Sequence, residues 1–213
     1  MGVVYQPPAA SCPLCPRLVE YREKNRVANP GWFNGAVPSF GSLDGRFLVV
    51  GLAPGVRGAN RTGRPFTGDF AGTLLYQTLI KYGLATGVYA ADPADGVALR
   101  DCRVTNAVRC VPPANLPTPA EIAGCNPFLT AELASMPHLK VVLALGGVSH
   151  KAVLRARGLR QSHVPFAHGA VHTLPDGLLL VDSYHVSRLN TNTGRLTTPM
   201  FEAVIADIVR RLT

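Results

Sequence analysis

The sequence predicts an α/β fold, with three layers (α/β/α) around a central, mostly parallel sheet of four or five strands. Strand-length apolar runs alternate along the chain with segments of helical periodicity, the pattern of a sheet that helices cover on both faces. Hydrophobic residues make up 47% of the chain and charged residues 16%, which is typical of a packed protein rather than a disordered one. A length of 213 residues suits a single domain.

In the first half of the chain, residues 1–45 are rich in Pro and Gly, and a short helix is predicted over 17–24. Residues 47–52 (FLVVGL) predict a buried strand that leads into a loop rich in Gly and Arg. Apolar side chains at helical spacing then predict a helix over 71–82. Residues 83–100 predict the end of a helix and a loop.

In the second half, the alternation in residues 103–109 (RVTNAVR) predicts a strand. Thr118, Pro119 and Glu121 form the pattern of a capping box, which starts a helix. The remaining predicted elements are strands at 139–145, 171–174 and 178–181, helices at 147–158 and 199–212, and a polar loop at 183–198. Because ligands of such sheets bind at the carboxyl ends of the strands, we expect the segments that follow Leu52, Arg109, Leu145 and Val181 to converge.

Charge and hydropathy narrow the class of partner. The formal net charge is +8, which favours a polyanion, although no run of five basic residues forms a tail. No apolar run reaches the eighteen or so residues that a membrane span needs, and the amino terminus lacks a secretion-signal pattern. We therefore expect a cytoplasmic protein, acting as a monomer and without a membrane partner.

The five cysteines favour metal ligation over disulfides, because their number is odd. Cys12 and Cys15 form a CxxC pair, and Cys110 and Cys125 form a second pair downstream. Two such pairs can be buried thiols, ligands of a structural zinc or ligands of an iron–sulfur cluster, and their spacing does not separate these alternatives. A metal site would tie the arm at 1–45 to the middle of the domain. Cys102 lacks a partner in sequence and is interpreted as a core thiol.

The loop over residues 51–69 has the composition of an anion-binding segment, because glycines leave backbone N–H groups free to face phosphate. It matches neither a Walker A loop nor a dinucleotide fingerprint. Phe66 is either a stacking plate for a base or a core residue, and Asp69 precedes a helix as an N-cap would. The candidate phosphate ligands are Arg57, Arg61 and Arg64.

Three ordered segments resemble the motifs of the uracil-DNA glycosylase superfamily, in its iron–sulfur branches. They are GLAPGVRGANRTGRPFTGD at 51–69, TNAVRCVPPANLPTPAEIAGC at 105–125 and SYHVSRLNTNTGRLT at 183–197. The resemblance implies a structural [4Fe–4S] cluster on Cys12, Cys15, Cys110 and Cys125. It also implies a base site that contains Gly51, Phe66 as the plate, Asn106 as the reader of the base edge and His185 as the donor to the base carbonyl.

The first motif bears on the branch. The branch restricted mainly to uracil carries Glu in GEAPG, where this chain has Leu52, so the chain resembles family 5 (type B). That likeness implies activity on hypoxanthine and xanthine as well as uracil, with Asp69 positioning water. Arg57 and Val186 depart from the His and Pro that are usual at their positions.

The implied activity is that of a DNA repair enzyme that flips a deaminated base out of double- or single-stranded DNA and hydrolyses its bond to the sugar, leaving an abasic site. Leu189 is the preferred wedge into the duplex, with Arg188 and Asn190 as alternatives. Arg195 is a further candidate for phosphate contact. In the absence of these roles, Asn106 would be a strand-end cap and His185 a solvent-facing loop residue.

Three other functions stay open at this point: a uracil-restricted iron–sulfur glycosylase, a non-catalytic metal-containing module that binds nucleic acid, and an electron carrier. The remaining histidines considered lie outside any motif and are interpreted as surface or core residues: His150, His163, His168 and His172.

Overall fold

A computed structural model of the chain describes residues 5–162 and 164–213. Its strands, in chain order, are β1 (Phe47–Gly51), β2 (Ala85–Thr86), β3 (Ala98–Leu99), β4 (Cys102–Asn106), β5 (Val141–Leu145), β6 (Val171–Thr173) and β7 (Leu179–Ser183). Its α-helices are α1 (Pro16–Ala28), α2 (Ala59–Thr62), α3 (Phe70–Lys81), α4 (Pro119–Ala134), α5 (Gly147–Ala156), α6 (Arg188–Asn192) and α7 (Thr198–Leu212). His163, one of the histidines interpreted above as lying outside any motif, falls outside the described residues.

The central sheet confirms the predicted fold class. Five strands pair in the order β4–β1–β5–β7–β6. The pairs β1–β4, β1–β5 and β5–β7 are parallel, and only the short β6 runs antiparallel, along β7. The parallel strands therefore end at one edge of the sheet, where the segments that follow β1, β4, β5 and β7 meet.

Alternating side chains of the same strands feed two cores, one on each face of the sheet. On one face, Phe47 and Val49 of β1 pack with residues of α3 and α7 such as Leu75 and Phe201. On the other, Leu48 of β1 and its neighbours pack with α4 and α5. Because both faces are covered, β1 and β5 are buried at every position, which explains their continuous apolar sequence.

The capping box predicted at the start of α4 is present. Thr118 Oγ1 accepts a hydrogen bond from the N–H of Glu121, and the Glu121 carboxylate accepts one from the N–H of Thr118. The same carboxylate accepts two hydrogen bonds of 2.7 Å from Arg17, in α1. This ion pair fastens the amino-terminal arm to α4.

Four local predictions differ from the structure by more than two residues or in the type of element. Helix α1 is longer than the predicted 17–24, and the predicted strand at 103–109 ends at Asn106. Residues 83–100 contain the antiparallel pair of β2 and β3, which at two residues each is too short to show a periodic pattern. The predicted loop at 183–198 contains α6, whose N-cap Ser187 accepts a hydrogen bond from Asn190 N–H.

A buried charge network joins β4 to α4. The Glu132 carboxylate, which is fully buried, accepts hydrogen bonds from Arg103, Arg109 and the Thr105 hydroxyl. Burial alone would favour the neutral acid, but the two guanidinium groups hold the pKa of Glu132 below its usual range. Among the described residues, no helix is long and apolar enough to cross a membrane.

We expect Glu132→Ala to lower the free energy of unfolding by about 3–5 kcal/mol, because it leaves two buried guanidinium groups without their carboxylate. Urea denaturation at pH 7 measures the change. Glu20→Ala is the matched control, since Glu20 pairs with Lys24 at the surface and its loss should cost at most about 1 kcal/mol. Equal losses in the two variants would contradict the assignment of the network.

Candidate base-binding site

The floor of the site is the point where β1 and β4 end side by side. Their parallel register sets Gly51 opposite Asn106. A Cβ at Gly51 would lie 2.3 Å from Cζ of Phe66 and 2.4 Å from Oδ1 of Asn106, distances that real contacts do not reach. The ring and the amide can approach each other here because residue 51 lacks a side chain.

Phe66 stands on a strained backbone that its neighbours hold in place. Its φ is +52°, in the left-handed region that costs a non-glycine residue free energy. The Tyr89 hydroxyl donates to the Phe66 carbonyl at 3.0 Å, and the Tyr76 hydroxyl donates to the Pro65 carbonyl at 2.7 Å. Two tyrosines thereby fix the position of the phenyl ring. Sequence reasoning missed both, since Tyr76 reads as a core helix residue and Tyr89 lies in a segment without a motif.

Asn106 presents a buried amide oxygen that no described residue uses as a hydrogen-bond acceptor. The residue is 3% exposed, and its Oδ1 has no hydrogen-bond partner among the described residues. An unsatisfied buried acceptor costs about 1–3 kcal/mol, so its retention at this position is typical of a ligand-binding group.

His185 closes the site from the segment that follows β7. Its ring centroid lies 6.2 Å from that of Phe66, with 31° between the ring planes. Burial lowers the pKa of His185 to about 4, so the imidazole is neutral at physiological pH and one ring nitrogen carries a proton that it can donate. The Asn190 side chain donates to the His185 carbonyl at 2.8 Å and so fixes the backbone of this residue.

Asp69 approaches the site from the start of α3. It lies at the N-cap position, but its side chain makes no capping hydrogen bond of ordinary geometry. Its Oδ1 is buried and has no partner among the described residues. Burial raises the pKa of Asp69, and the nearby N–H groups of Gly72 and Ala71 oppose the shift in part. A Cβ at Gly58 would lie 2.2 Å from Asp69 Oδ2, so this loop position also favours glycine.

Comparison with known proteins identifies the family to which this site belongs. Residues 38–209 match a sequence profile described as the Uracil DNA glycosylase superfamily. The chain belongs to the uracil-DNA glycosylase superfamily. The geometry above therefore describes the three ordered motifs of a superfamily member, brought to one edge of the sheet.

The curated relatives define the branch. A type-5 uracil-DNA glycosylase of Thermus thermophilus is 45% identical over 205 residues, covering 94% of this chain and 93% of that protein. Type-5 proteins of Mycobacterium leprae and Pyrobaculum aerophilum are 42% and 40% identical, over 92% and 94% of this chain and 89% and 87% of their own lengths. A type-4 protein of the same Pyrobaculum is 32% identical over 151 residues, 70% of this chain and 63% of its own length. The likeness to type 5 that Leu52 indicates is thus confirmed.

The three arginines of the first superfamily motif divide into two groups. Arg57 and Arg61 are exposed, and Arg61 Nε donates to the Arg57 carbonyl. Arg64 is 6% exposed, and its guanidinium makes two hydrogen bonds of 2.8 Å to Asp95. The prediction that Arg64 contacts phosphate does not fit this position, because the loop folds its side chain inward. The sequence pattern shows the charge of the residue but not the direction of its side chain.

The last superfamily motif places a surface helix beside the site. Leu189 is 73% exposed on α6, as a wedge requires. The guanidinium of Arg188 lies 5.4 Å from the ring centroid of Phe70, and that of Arg195 lies 4.6 Å from the ring centroid of Tyr184. Both arginines are exposed to solvent. Asn190, an alternative wedge by sequence, uses its amide to hold His185 instead.

The two cysteine pairs of the sequence come together in the fold. Cys12, Cys15, Cys110 and Cys125 line one cavity. Arg22 donates to Cys110 Sγ at 3.5 Å, and the Arg109 N–H donates to Cys125 Sγ at 3.4 Å. Donors of this kind stabilise thiolates, the form in which cysteine binds metal. Arg22 Nε makes no hydrogen bond among the described residues but lies 3.8 Å from a carboxylate oxygen of Glu23. Cys102 lies apart in the core, 1% exposed, in agreement with its interpretation as a core thiol.

We expect Gly72→Ala to destabilise the protein by about 1–3 kcal/mol, as overpacking does. In most helices the same change stabilises by about 0.5–1 kcal/mol, but here the new Cβ would lie 1.8 Å from the Phe66 carbonyl oxygen and 2.2 Å from the Tyr89 hydroxyl. Urea denaturation compares it with Gly31→Ala, where nothing lies within 4 Å. A stabilised Gly72→Ala variant would contradict the described position of Phe66.

Proposed function

We propose that this superfamily member is a DNA repair glycosylase, which flips uracil and other deaminated bases out of DNA and hydrolyses the bond to the sugar, leaving an abasic site. The observation that carries the proposal is the meeting of Phe66, Asn106 and His185 around the side-chain-free position of Gly51. Their spacing suits a flat heterocycle with polar edges: an aromatic face to stack on, an amide oxygen without a partner among the described residues, and a neutral imidazole. The enzyme would act as a cytoplasmic monomer.

His185 would stabilise the leaving base. As the glycosidic bond breaks, negative charge grows on the base, and an N–H aimed at the base carbonyl offsets it. The lowered pKa suits this role, because a neutral imidazole donates a hydrogen bond to the oxyanion without a prior protonation step. The hydrogen bond from Asn190 fixes the backbone from which the ring projects.

Asp69 would position the water that attacks the sugar. Its buried Oδ1 is free to accept a hydrogen bond from that water, and its ionised form would offset the positive charge that develops on the sugar. The close approach that Gly58 permits brings the carboxylate over the motif loop.

Asn106 would read the edge of the base. An amide offers both a donor and an acceptor, so one side chain can face the differently arranged edges of uracil, hypoxanthine and xanthine. A Glu at position 52 would add a fixed charge to the motif, and this chain has Leu52 there. The absence of Glu at position 52 supports activity on a broader range of bases over the uracil-restricted alternative.

We propose that the four thiolates hold a [4Fe–4S] cluster in a structural role. The donors to Cys110 and Cys125 and the shared cavity fit a buried anionic group. The cluster would supply a covalent link from the arm to the segment between β4 and α4 and to α4 itself, where Cys125 lies. Iron content of about four per chain and absorbance near 400 nm test the assignment.

DNA would lie across the exposed arginines. Arg57, Arg61, Arg188 and Arg195 are available to phosphates, contacts that give affinity without sequence preference. Leu189 would enter the space that the flipped base vacates. A module that only binds nucleic acid would account for these arginines and for the cysteines, but not for the unsatisfied amide oxygen and the neutral imidazole of the base site.

The test of function is a duplex that carries uracil opposite guanine. We expect alkali-labile abasic sites to form with uracil, hypoxanthine and xanthine substrates but not with the unmodified duplex. Cleavage of the uracil duplex alone would support the uracil-restricted alternative. Intact strands after prolonged incubation with iron-loaded protein would contradict the glycosylase proposal.

We expect His185→Ala to slow single-turnover uracil excision by about a hundredfold, the value of one well-placed oxyanion donor of about 3 kcal/mol. DNA affinity, measured by fluorescence anisotropy, should change only a few-fold. His138→Ala is the control, because His138 is exposed just before β5, at the opposite edge of the sheet. Equal losses of rate and affinity would refute the role of His185.

We expect the excision rate to fall as the pH drops through the raised pKa of Asp69, because protonation removes the acceptor for water. His185 does not contribute to this decline above its pKa of about 4. Asp69→Asn should slow excision by about a hundredfold and abolish the acidic decline in single-turnover profiles. A variant that keeps both the rate, within a few-fold, and the decline would show that water positioning lies elsewhere.

A further inference from the structure

Behind the base site, three side chains that no superfamily motif contains converge in a small polar cluster. His150 of α5, His172 of β6 and Asp182 of β7 each direct one potential ligand atom to a common point, and these atoms all lie within 4.8 Å of one another. Asp182 and His150 are buried, and His172 is partly exposed. Sequence reasoning missed the cluster, because residues so far apart in the chain form no spacing motif.

The hydrogen bonds of His150 define which of its nitrogens is free to bind a cation. Nε2 lies 2.8 Å from the carbonyl oxygen of Val164, which can only accept, so Nε2 carries the proton. Nδ1 then directs its lone pair at Asp182 Oδ1, which is also 2.8 Å away. Two acceptor lone pairs that face each other repel, so this contact is favourable only when a positive charge lies between the two atoms, either a second proton or a metal ion.

The other half of the cluster distinguishes a metal ion from a proton. Asp182 Oδ2 and His172 Nε2 are both buried, lie 3.4 Å apart and lack hydrogen-bond partners among the described residues. A proton on His150 satisfies only Oδ1 and leaves this second pair unsatisfied. A cation at the centre binds His172 Nε2 together with His150 Nδ1 and the Asp182 carboxylate.

We propose that His150 Nδ1, His172 Nε2 and Asp182 form a second metal site, for one divalent transition-metal ion, with zinc the best match. Imidazole and carboxylate are ordinary zinc ligands, and neighbouring ligand atoms of a tetrahedral site lie about 3.3 Å apart. The His172–Asp182 distance of 3.4 Å fits this value. His150 would retreat by roughly 0.5 Å from its hydrogen-bonded position. The fourth ligand is a water, admitted on the side of the partly exposed His172.

The surroundings of the cluster are those of a metal ligand shell. The hydrogen bond from His150 Nε2 to Val164 is the second contact that metal-binding histidines make, fixing tautomer and ring orientation. Phe166 packs its ring edgewise on His150, at 5.8 Å between centroids, and limits access of solvent. One carboxylate and two neutral imidazoles leave the divalent ion with a single positive charge in this shell.

The site has a structural consequence for the base pocket. Asp182 lies on β7, three residues before His185, and β6 with its preceding segment pairs along β7. The ion would join α5, β6 and β7 at the end of the sheet from which His185 projects. It would do so independently of the four cysteines and of the glycosylase proposal.

Metal analysis of the intact, iron-loaded protein tests the site, because thiols occupied by iron do not compete for zinc. After treatment with a weak chelator, dialysis against zinc and removal of excess zinc, we expect about one zinc per chain in addition to iron. His172→Gln and Asp182→Asn should retain none, whereas His138→Gln should retain the wild-type amount. His172→Gln is the decisive variant, since its partly exposed side chain makes misfolding the least concern.

Thermal unfolding supplies the second readout. With zinc at about a hundredfold above its Kd, the thermal midpoint should rise by about 5–10 °C in the wild-type protein and in His138→Gln, and stay unchanged in His172→Gln. Zinc retained equally by wild type and His172→Gln would overturn the proposal, as would no zinc retained by either. In the latter case a proton on His150 accounts for its contact with Asp182.

Discussion

The absence of a side chain at Gly51 is the constraint on which the base site depends. Strand β1 lies between β4 and β5 in parallel register, and its last residue, Gly51, lies opposite Asn106 of β4, one residue beyond the last pair with β5. Only the missing Cβ lets the Phe66 ring and the Asn106 amide meet at that point. The sheet supplies the position, the glycine supplies the space, and His185 reaches the same space from the end of β7.

Several groups of the site adopt conformations or environments that cost free energy, and contacts with neighbouring residues hold them there. Phe66 has a positive φ, and Asn106 and Asp69 each keep a buried oxygen that has no hydrogen-bond partner in the described part of the chain. Such features persist only where neighbouring contacts over-determine them. Here Arg64 is locked to Asp95 and stacked between aromatic rings, while Tyr76 and Tyr89 hold the backbone around Phe66. Pre-organisation of this kind lets the polar groups meet a base without first rearranging.

Much of the fold could be predicted from sequence, because strands that are buried on both faces, such as β1 and β5, have continuous apolar sequences. The start of α4 was equally predictable, since a capping box is a local sequence pattern. The short pair of β2 and β3 and the surface helix α6 were not, because neither contains enough residues to show a period. Among site residues, the motifs identified Phe66, Asn106 and His185, which the structure brings together.

What sequence could not supply is the direction in which a side chain points. Arg64 has the composition of a phosphate ligand and is buried against Asp95, and Asn190 holds His185 rather than standing free. His150 and Asp182 are 32 residues apart in the chain and come into contact only when α5 packs against the sheet. The central claim, that an extruded base lies on Phe66 with its edge at Asn106, is tested most directly by a crystal structure with a duplex bearing 2′-fluoro-2′-deoxyuridine, which resists cleavage. The account predicts uracil outside the helix, stacked on Phe66 and within hydrogen-bond distance of Asn106 and His185; uracil still paired in the duplex, or bound away from Gly51, would contradict it.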